Sequence, residues 1–308
     1  MSLSNSTENP IPDNFVCGYI AIVGRPNVGK STLLNRLMGQ KVSITTHKPQ
    51  TTRHRILGIK TIENAQFVYV DTPGIHNKTN SALNRYMNRA ATTSIADVDI
   101  IVFVIEGIRW TEQDELVLDK LAGIEKPVIL VINKTDKIKN KDKFLPHIAV
   151  LTAKYKFAQI IPVSARTGEA IDQLETAIQE LLPISSPFFP DDQVTDRSER
   201  FLAAEFIREK LMRSLGEELP YALTVQIEKF ENKGHIKRIY AVIWVSRESQ
   251  KGILIGKGGQ QLKIVGEQAR KDMEQAFDSK VFLQLWVKVK KGWSDDERAL
   301  KSLGYDDD

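Results

Sequence analysis

The sequence predicts an α/β protein in two units: a mostly parallel sheet with helices on both faces over residues 15–182, and a smaller α+β unit over residues 198–308. Three observations carry that prediction. Short apolar runs alternate with helical segments through the first 182 residues. The Gly- and Asp-containing motifs of that half all fall at the C-terminal ends of apolar runs, where an open parallel sheet places its ligand crevice. Pro183, Pro187 and Pro190, set among Ser185, Ser186, Asp191 and Asp192, forbid a continuing helix and mark a stiff linker over 183–197.

Bulk properties agree. A chain of 308 residues is long for one core, so two domains are the expectation. Contents of 42% hydrophobic and 27% charged residues describe a soluble globular chain. The longest apolar runs, such as 100–105, are too short to span a bilayer. Residues 1–14 are polar and carry two prolines, which predicts a disordered extension and neither a secretory signal nor a transit peptide. Cys17 is the single cysteine and reads as core, in keeping with a reducing cytoplasm. His47, His54, His76, His147 and His235 show no metal-ligand spacing.

The first apolar run, 16–23, ends in Gly24-Arg25-Pro26-Asn27-Val28-Gly29-Lys30-Ser31-Thr32 and is followed by a helical pattern to Met38. Strand, Gly-x4-Gly-Lys-Ser, helix is the context of a phosphate-binding loop. Its glycines let successive N–H groups point inward, and the helix N-terminus adds partial positive charge. Lys30 then reaches β- and γ-phosphates, and the Ser31 hydroxyl binds Mg²⁺.

Residues 40–57 are polar and read as a mobile loop able to lend the Thr52 hydroxyl to the same Mg²⁺. Residues 56–62 and 66–70 read as a β-hairpin ending in Asp71-Thr72-Pro73-Gly74. A carboxylate at a buried strand end, beside a glycine N–H, is the second half of a Mg·nucleotide site. Strands over 98–105, 127–132 and 160–163 follow, interleaved with helices over 82–94, 111–121 and 168–182. The strand at 127–132 opens into Asn133-Lys134-Thr135-Asp136. Guanine presents N1–H and N2–H₂ side by side, two donors that the Asp136 carboxylate can accept together. Lys134 would cover the base, and Ser164-Ala165 would offer an N–H to the guanine carbonyl.

Beyond the linker, Asp196 with Glu199 resembles a helix start. Ala204, Ile207, Leu211 and Leu215 recur at helical spacing, strands follow over 223–227 and 239–245, and a helix runs over 260–277 before a last strand at 281–289. Between them lies Ile255-Gly256-Lys257-Gly258-Gly259, a Gly-x-x-Gly turn flanked by helices. The order helix–strand–strand–helix–helix–strand around such a turn is that of a type II KH fold, in which the turn clamps a nucleic-acid backbone. Charge balances over 183–308, but 246–271 carries six basic residues against two acidic, including Lys257, Lys263 and Arg270. Lys288 and Lys290 close the last strand, and with the turn these basic residues are the expected RNA contacts.

These motifs, in this order, resemble the Era family of bacterial GTPases: a P-loop NTPase domain of Ras-like topology followed by a type II KH domain. The likeness extends through Thr195-Asp196-Arg197-Ser198-Glu199-Arg200-Phe201, Leu285-Trp286-Val287-Lys288-Val289-Lys290 and 295–300, and covers essentially everything after Phe15. It implies binding to the small-subunit (16S) ribosomal RNA near its 3′ end, a role in 30S assembly, loose attachment to the cytoplasmic face of the inner membrane, and a monomer. It also implies GTP hydrolysis with Lys30, Thr52 and the Gly74 N–H as catalytic groups, and Mg²⁺ held by Ser31, Thr52 and, through water, Asp71. Residue 75 is Ile75, where Ras has a glutamine that orients water, which predicts a slow intrinsic rate. Residues 50–54 and 71–90 are the expected switch segments, with the linker reporting their state. In potassium-stimulated relatives an asparagine at the position of Asn27 ligates K⁺, so the same is expected here. The alternatives are an RNA-binding module with a structural nucleotide site, and a membrane-peripheral GTPase whose main role is cell-cycle signalling.

Overall fold

The apolar run after Phe15 forms β1 (Val16–Val23) and lies at the centre of a six-stranded sheet. The structure is a computed structural model describing residues 12–74, 81–139, 142, 144–216, 222–303 and 305. With β2 (Ile56–Ile62), β3 (Ala65–Asp71), β4 (Ile100–Glu106), β5 (Val128–Asn133) and β6 (Gln159–Pro162), the strand order is β2-β3-β1-β4-β5-β6. Every neighbouring pair is parallel except β2 and β3, the expected hairpin. β4 and β5 are apolar almost throughout, as strands covered on both faces must be.

Helices cover both faces. Leu33, Leu34 and Leu37 of α1 (Lys30–Met38) and Leu174 and Ile178 of α5 (Ile171–Gln179) pack with Ile20, Ile22, Val102 and Val131. On the opposite face, α2 (Ala82–Ala96), α3 (Glu112–Leu121) and α4 (Phe144–Lys154) bring Ala91, Ile95, Val117, Leu121 and Leu151 against Val23, Val68, Phe103 and Leu130. The motifs and apolar spacing predict no helix at α4. Its proline, Pro146, sits in the first turn, where a missing N–H costs nothing. The helix expected from Gly168 starts later, because Gly168 (φ 94°) and Ala170 (φ 58°) hold left-handed backbone.

The second unit runs α6 (Glu199–Ser214), β7 (Leu223–Lys233), β8 (Ile236–Val245), α7 (Glu248–Ile255), α8 (Gln260–Ala276), β9 (Lys280–Val289) and α9 (Glu297–Ser302). β7 and β8 pair antiparallel, β8 and β9 parallel. α6 and α8 pack on one sheet face through Phe206, Leu211, Val265 and Met273, leaving the other face uncovered by these helices. Ser198, not Asp196, caps α6, its hydroxyl accepting the Phe201 N–H at 3.3 Å. Asp196 instead accepts the Leu57 N–H at 3.0 Å.

That bond is one of several fastening the proline-rich stretch to the first sheet. Cys17 N–H donates to Pro183 O at 3.0 Å, Ile59 N–H to Val194 O at 2.8 Å, and Gln66 exchanges bonds with the backbone of Phe188 and Phe189. The expected mobile loop before β2 is also packed. Val42, Ser43, Ile44, Thr52, Arg53 and His54 are buried, and Ile44 joins the core of the second unit. Of the expected N-terminal extension, residues 1–11 lie outside the described residues; at 12–14 the chain turns, with Phe15 N–H bonded to Pro12 O at 3.0 Å.

Candidate nucleotide-binding site and nucleic-acid groove

The loop between β1 and α1 curls because two of its residues can do what others cannot. Gly24 (φ 150°) and Gly29 (φ 102°) hold positive φ. A Cβ at Gly24 would stand 2.4 Å from Val104 O, and one at Gly29 2.4 Å from Asn133 Nδ2. Lys30 lies inside the curl, donating to Gly24 O at 3.0 Å and Arg25 O at 3.1 Å. Burial lowers its pKa to about 8, against the raising effect of Asp71. An anion in the cleft would restore the charged form, which suits a lysine awaiting polyphosphate.

Beside Lys30 three oxygen-bearing side chains from distant segments converge. Ser31 Oγ donates to Asp71 Oδ2 at 2.8 Å and lies 2.8 Å from Thr52 Oγ1, which is 3.4 Å from the same carboxylate oxygen. Ser43 Oγ also donates to Asp71 Oδ2 at 2.8 Å. Burial raises the Asp71 pKa, and the hydrogen bonds from Ser31, Ser43 and Thr52 and the charge of Lys30 oppose it. Asp71 Oδ1 is buried without a hydrogen-bond partner. Two hydroxyls and a carboxylate with a spare oxygen are a hard-oxygen donor set that fits Mg²⁺.

The other end of the cleft is built by β5. Asn133 Nδ2 donates to Val28 O at 2.8 Å, and its Oδ1 accepts from Lys134 N at 2.8 Å and Ala165 N at 3.0 Å. One side chain thus ties the phosphate loop to both base-reading segments. Asp136 accepts from Ser164 Oγ at 2.7 Å, and its second oxygen lies 2.7 Å from Arg166 Nη2. The whole cleft, about 310 Å³, is lined by Pro26, Asn27, Gly29, Lys30, Ser31, Thr32, Thr52, Gly74, Asn133, Lys134, Asp136 and Ala165 among others.

The remaining expected nucleotide residues stand behind that lining. Val28 has its side chain in the core, and Thr72 turns its hydroxyl to Ile22 O at 3.0 Å. Thr135 bonds Glu169 at 3.2 Å. Asp71, Pro73 and Ser164 are buried beneath the surface, and Gly74 abuts Pro26 so closely that a Cβ would approach it to 2.9 Å. Asn27 takes φ 66°, a left-handed conformation asparagine tolerates, with its carbonyl receiving Lys134 Nζ at 2.7 Å. Ile75 lies outside the described residues, as do residues 76–80 of the second switch segment.

Arg25 turns away from the cleft, to Asp114 at 3.2 Å and Glu106 at 3.4 Å, and Glu106 also meets Lys134 Nζ at 3.0 Å. Burial works to raise the Glu106 pKa, but the Lys134 hydrogen bond and charge and the charge of Arg25 bring it below the usual range. Glu106, Asp114, Arg166 and Arg36, which donates to Ala165 O at 3.1 Å, escaped the sequence reading. Only Glu106 carried a signal: like Asp71, it is a carboxylate at the C-terminal end of a buried strand.

The segment bearing Thr52 also touches the second unit. Thr45 N–H donates to Glu209 Oε1 at 2.9 Å, Arg208 bonds Thr51 O, and Lys48 bonds Leu215 O and, at 2.9 Å, Gly216 O. Arg53, fully buried, donates to Leu223 O at 2.8 Å. The segment that carries Thr52 thus contacts α6 directly, beside the linker's own bonds to β2.

In the second unit, Gly256 (φ 71°), Gly258 (φ 60°) and Gly259 (φ 78°) form the turn between α7 and α8, and Gly256 abuts Gln261, where a Cβ would stand 2.7 Å away. Beside it, Leu215, Gly216, Ile253, Gly256, Lys257, Gln261 and Ile264 line a groove of about 340 Å³. Ile255 is partly buried against the core, Lys263 is exposed on the first turn of α8, and Arg270 pairs with Glu274 at 3.0 Å. Lys288 and Lys290 are not at this groove. Their ammonium groups lie 5.8 and 5.9 Å from the ring of Trp244, on the uncovered face of the sheet.

Residues 19–134 match a family model described as 50S ribosome-binding GTPase, and residues 218–294 match one described as KH domain. The chain is 58% identical over 297 residues to GTPase Era of Pseudomonas aeruginosa, covering 96% of this chain and 97% of that protein. It is 56% identical to GTPase Era of Pseudomonas putida over 291 residues, covering 94% of this chain and 96% of that one. A crystal structure of a substituted Aquifex aeolicus Era bound to GDP·AlF4 superposes with a TM-score of 0.90 at 40% identity, covering 94% of this chain and 99% of that one. A crystal structure of Era with MgGDPNP and nucleotides 1506–1542 of 16S ribosomal RNA does so at 0.90 and 41% identity, with the same coverage.

Proposed function

The chain belongs to the Era family of GTPases, and on that premise we propose that it hydrolyses GTP to GDP and phosphate, binds the 3′ end of small-subunit ribosomal RNA through its KH unit, and acts in 30S subunit assembly with GTP-dependent switching. The observation that carries this is the cleft lined by Lys30, Ser31, Thr52 and Asp136, with Asp71 bonded beneath Ser31, joined by the Thr45–Thr52 segment to α6.

Lys30 binds the β- and γ-phosphates and stabilises the charge that builds on them. Ser31, Thr52 and Asp71 would hold Mg²⁺, which would neutralise charge on the β/γ oxygens. Thr52 already stands beside Ser31 and Asp71, so a γ-phosphate holds residues 50–54 in this arrangement and its loss releases them, while the 71–90 segment follows through Gly74. Asp136 accepts both guanine donors, and Arg166 moves off its carboxylate as the base enters. With Ile75 unable to orient water, the backbone, a partner or bound RNA places the nucleophile, and the intrinsic rate is slow. Asn27 would hold K⁺, which would supply positive charge to the phosphates, so hydrolysis is expected to run faster in K⁺ than in Na⁺.

The working form is a monomer of the cytoplasm, in part peripheral at the inner membrane. No helix among the described residues is long and apolar enough to cross a membrane. Single-turnover hydrolysis and binding of a labelled 3′-terminal 16S ribosomal RNA fragment test the proposal. GTP but not ATP is hydrolysed. Lys257→Asp with Gly258→Asp lowers RNA affinity at least about tenfold, since two negative charges replace one cation where phosphates pass. Aspartate tolerates the left-handed backbone at Gly258, so the turn survives. Basal hydrolysis within about twofold of wild type is expected for that variant. Unaltered RNA affinity would overturn the groove assignment, and equal hydrolysis of ATP the guanine assignment.

A further inference from the structure

The helices α6 and α8 cover one face of the second sheet, and its register fixes what stands on the other. Across β7, β8 and β9 the outward rows are Thr224–Trp244–Lys288, Gln226–Val242–Trp286, Lys229–Tyr240–Gln284 and Glu231–Arg238–Phe282. Three rings run in contact: Phe282 lies 5.9 Å from Tyr240, and Tyr240 6.1 Å from Trp286 at an interplanar angle of 18°. Phe282 is 47% and Trp286 38% exposed, high values for rings that size. Trp244 extends the series, its Nε1 donating to Gln226 Oε1 at 2.9 Å.

Cations stand over these rings. Lys229 Nζ is 5.8 Å from the Tyr240 centroid, and Lys288 and Lys290 approach Trp244. Lys288 pairs with Glu228 at 2.9 Å and Lys229 with Glu231 at 3.0 Å. Arg238, Lys233 and Lys280 leave the face positive in balance. The core of a protein–protein contact is depleted in lysine, whereas stacking rings interleaved with cations are what unpaired nucleic acid requires. β9 also joins this face to the groove side. Leu283 and Leu285 point into the helix side, where α7 and α8 pack against β9, while Phe282 and Trp286 point out.

We propose that this open sheet face is a second surface for single-stranded RNA, stacking bases on Phe282, Tyr240 and Trp286 and taking RNA that lies beyond the roughly four nucleotides a Gly-x-x-Gly groove holds. The direction of the extension rests on the RNA reading of the groove, and the two fail separately. The test is fluorescence anisotropy on the full chain, with fluorescein-labelled single-stranded RNA of about 5 and about 16 nucleotides from the small-subunit 3′ end. Phe282→Ala with Trp286→Ala weakens binding of the longer probe at least about tenfold, on the scale of lost base–aromatic stacking, and changes the shorter one less than about twofold. Lys257→Asp with Gly258→Asp weakens both. If only the ring variant loses affinity, the groove reading fails and this one stands. Wild-type affinity of the ring variant for the longer probe overturns the proposal and leaves the face to a protein partner. Trp286→Phe is the second check: it keeps affinity within about twofold yet loses over half of the tryptophan quenching that RNA produces. Undiminished quenching would also overturn it.

Discussion

Glu209 Oε1 accepts the Thr45 backbone N–H at 2.9 Å, fastening α6 of the KH unit to the segment that ends in Thr52. The same carboxylate meets Lys41 at 2.5 Å, Arg213 at 3.0 Å and Lys210 at 3.1 Å. Burial works to raise its pKa, but Lys41, the Thr45 N–H and Arg213 hold it below the usual range. Thr52 stands 2.8 Å from Ser31 while this contact is made, so release of the Thr52 segment on loss of the γ-phosphate would strain or break it, which is a physical route from nucleotide to RNA unit.

Glu209→Gln keeps the shape and removes the charge. Loss of charge-assisted bonds should cost about 2 kcal/mol of stability, read as a lower Tm. The difference in RNA affinity between the GTP-analogue and GDP forms should shrink several-fold, while basal hydrolysis stays near wild type, since Glu209 does not itself line the cleft and meets it only through Thr45, away from Lys30, Ser31 and Asp71. A nucleotide dependence of RNA binding as large as wild type's would mean that coupling runs elsewhere.

Asp136 supports a specificity prediction. Its carboxylate is held by Ser164 and fits paired donors, so Asp136→Asn presents one acceptor and one donor. GTP affinity should fall at least about a hundredfold, because guanine then faces an unmatched N–H. Xanthosine triphosphate, with an oxygen in place of the N2 amine, should gain by a similar factor. Competition binding with the two nucleotides measures the swap, and equal GTP affinity in mutant and wild type contradicts the assignment.

What could be read from the chain, and what could not, divides along the range of the interaction. A phosphate loop needs positive φ at fixed spacing from a lysine, so Gly24, Gly29 and Lys30 announce themselves locally, as do Asp71 and Asp136 at strand ends. Thr52 was legible as a hydroxyl awaiting a metal, and the structure sets it 2.8 Å from Ser31. The ring Arg25–Glu106–Lys134 and the Arg166–Asp136 pair join residues far apart in sequence, with no periodicity to betray them. The burial of 42–44 and 52–54 was hidden for the same reason: the polar segment reads as a mobile loop until α6 supplies Glu209 and Arg208 as partners for Thr45 and Thr51. At α6 two residues competed for the cap. Ser198 won because Asp196 was already committed to the Leu57 N–H.

Asn133 is a brace more than a base contact, and its removal should show that. Asn133→Ala deletes the bonds to Val28 O, Lys134 N and Ala165 N, leaving buried backbone groups unpaired at a cost of about 1–3 kcal/mol each before relaxation. GDP should dissociate at least about tenfold faster in stopped-flow measurements with a fluorescent analogue. Guanine-over-adenine preference should persist, because Asp136 is untouched. Loss of that preference would make Asn133 a reader of the base.

His54 gives the pH dependence. It is buried where the two units meet, its ring stacked on Tyr305 at 4.6 Å and edge-on to Phe201 at 5.3 Å, with Tyr86 Oη 3.3 Å from Nδ1. Glu205, Arg208, Arg197 and Arg53 are the charged groups around it. Burial lowers its pKa from 6.5 to about 3; Glu205 opposes the shift, and the three arginines add to it. Because the folded value is the lower one, the unfolded chain binds more protons between pH 3 and 6.5. Stability is therefore unaffected by this group above pH 6.5 and falls on acidification below it, by up to about 1.4 kcal/mol per pH unit. At pH 5 that is a loss of about 2 kcal/mol relative to pH 7. His54→Phe keeps an aromatic ring for Tyr305 and removes the titration, at the expense of the Tyr86 contact. Denaturant midpoints should show the variant less stable than wild type at pH 7.5 but losing about 2 kcal/mol less between pH 7.5 and 5. Parallel pH profiles for the two proteins would mean that His54 does not carry this acid sensitivity.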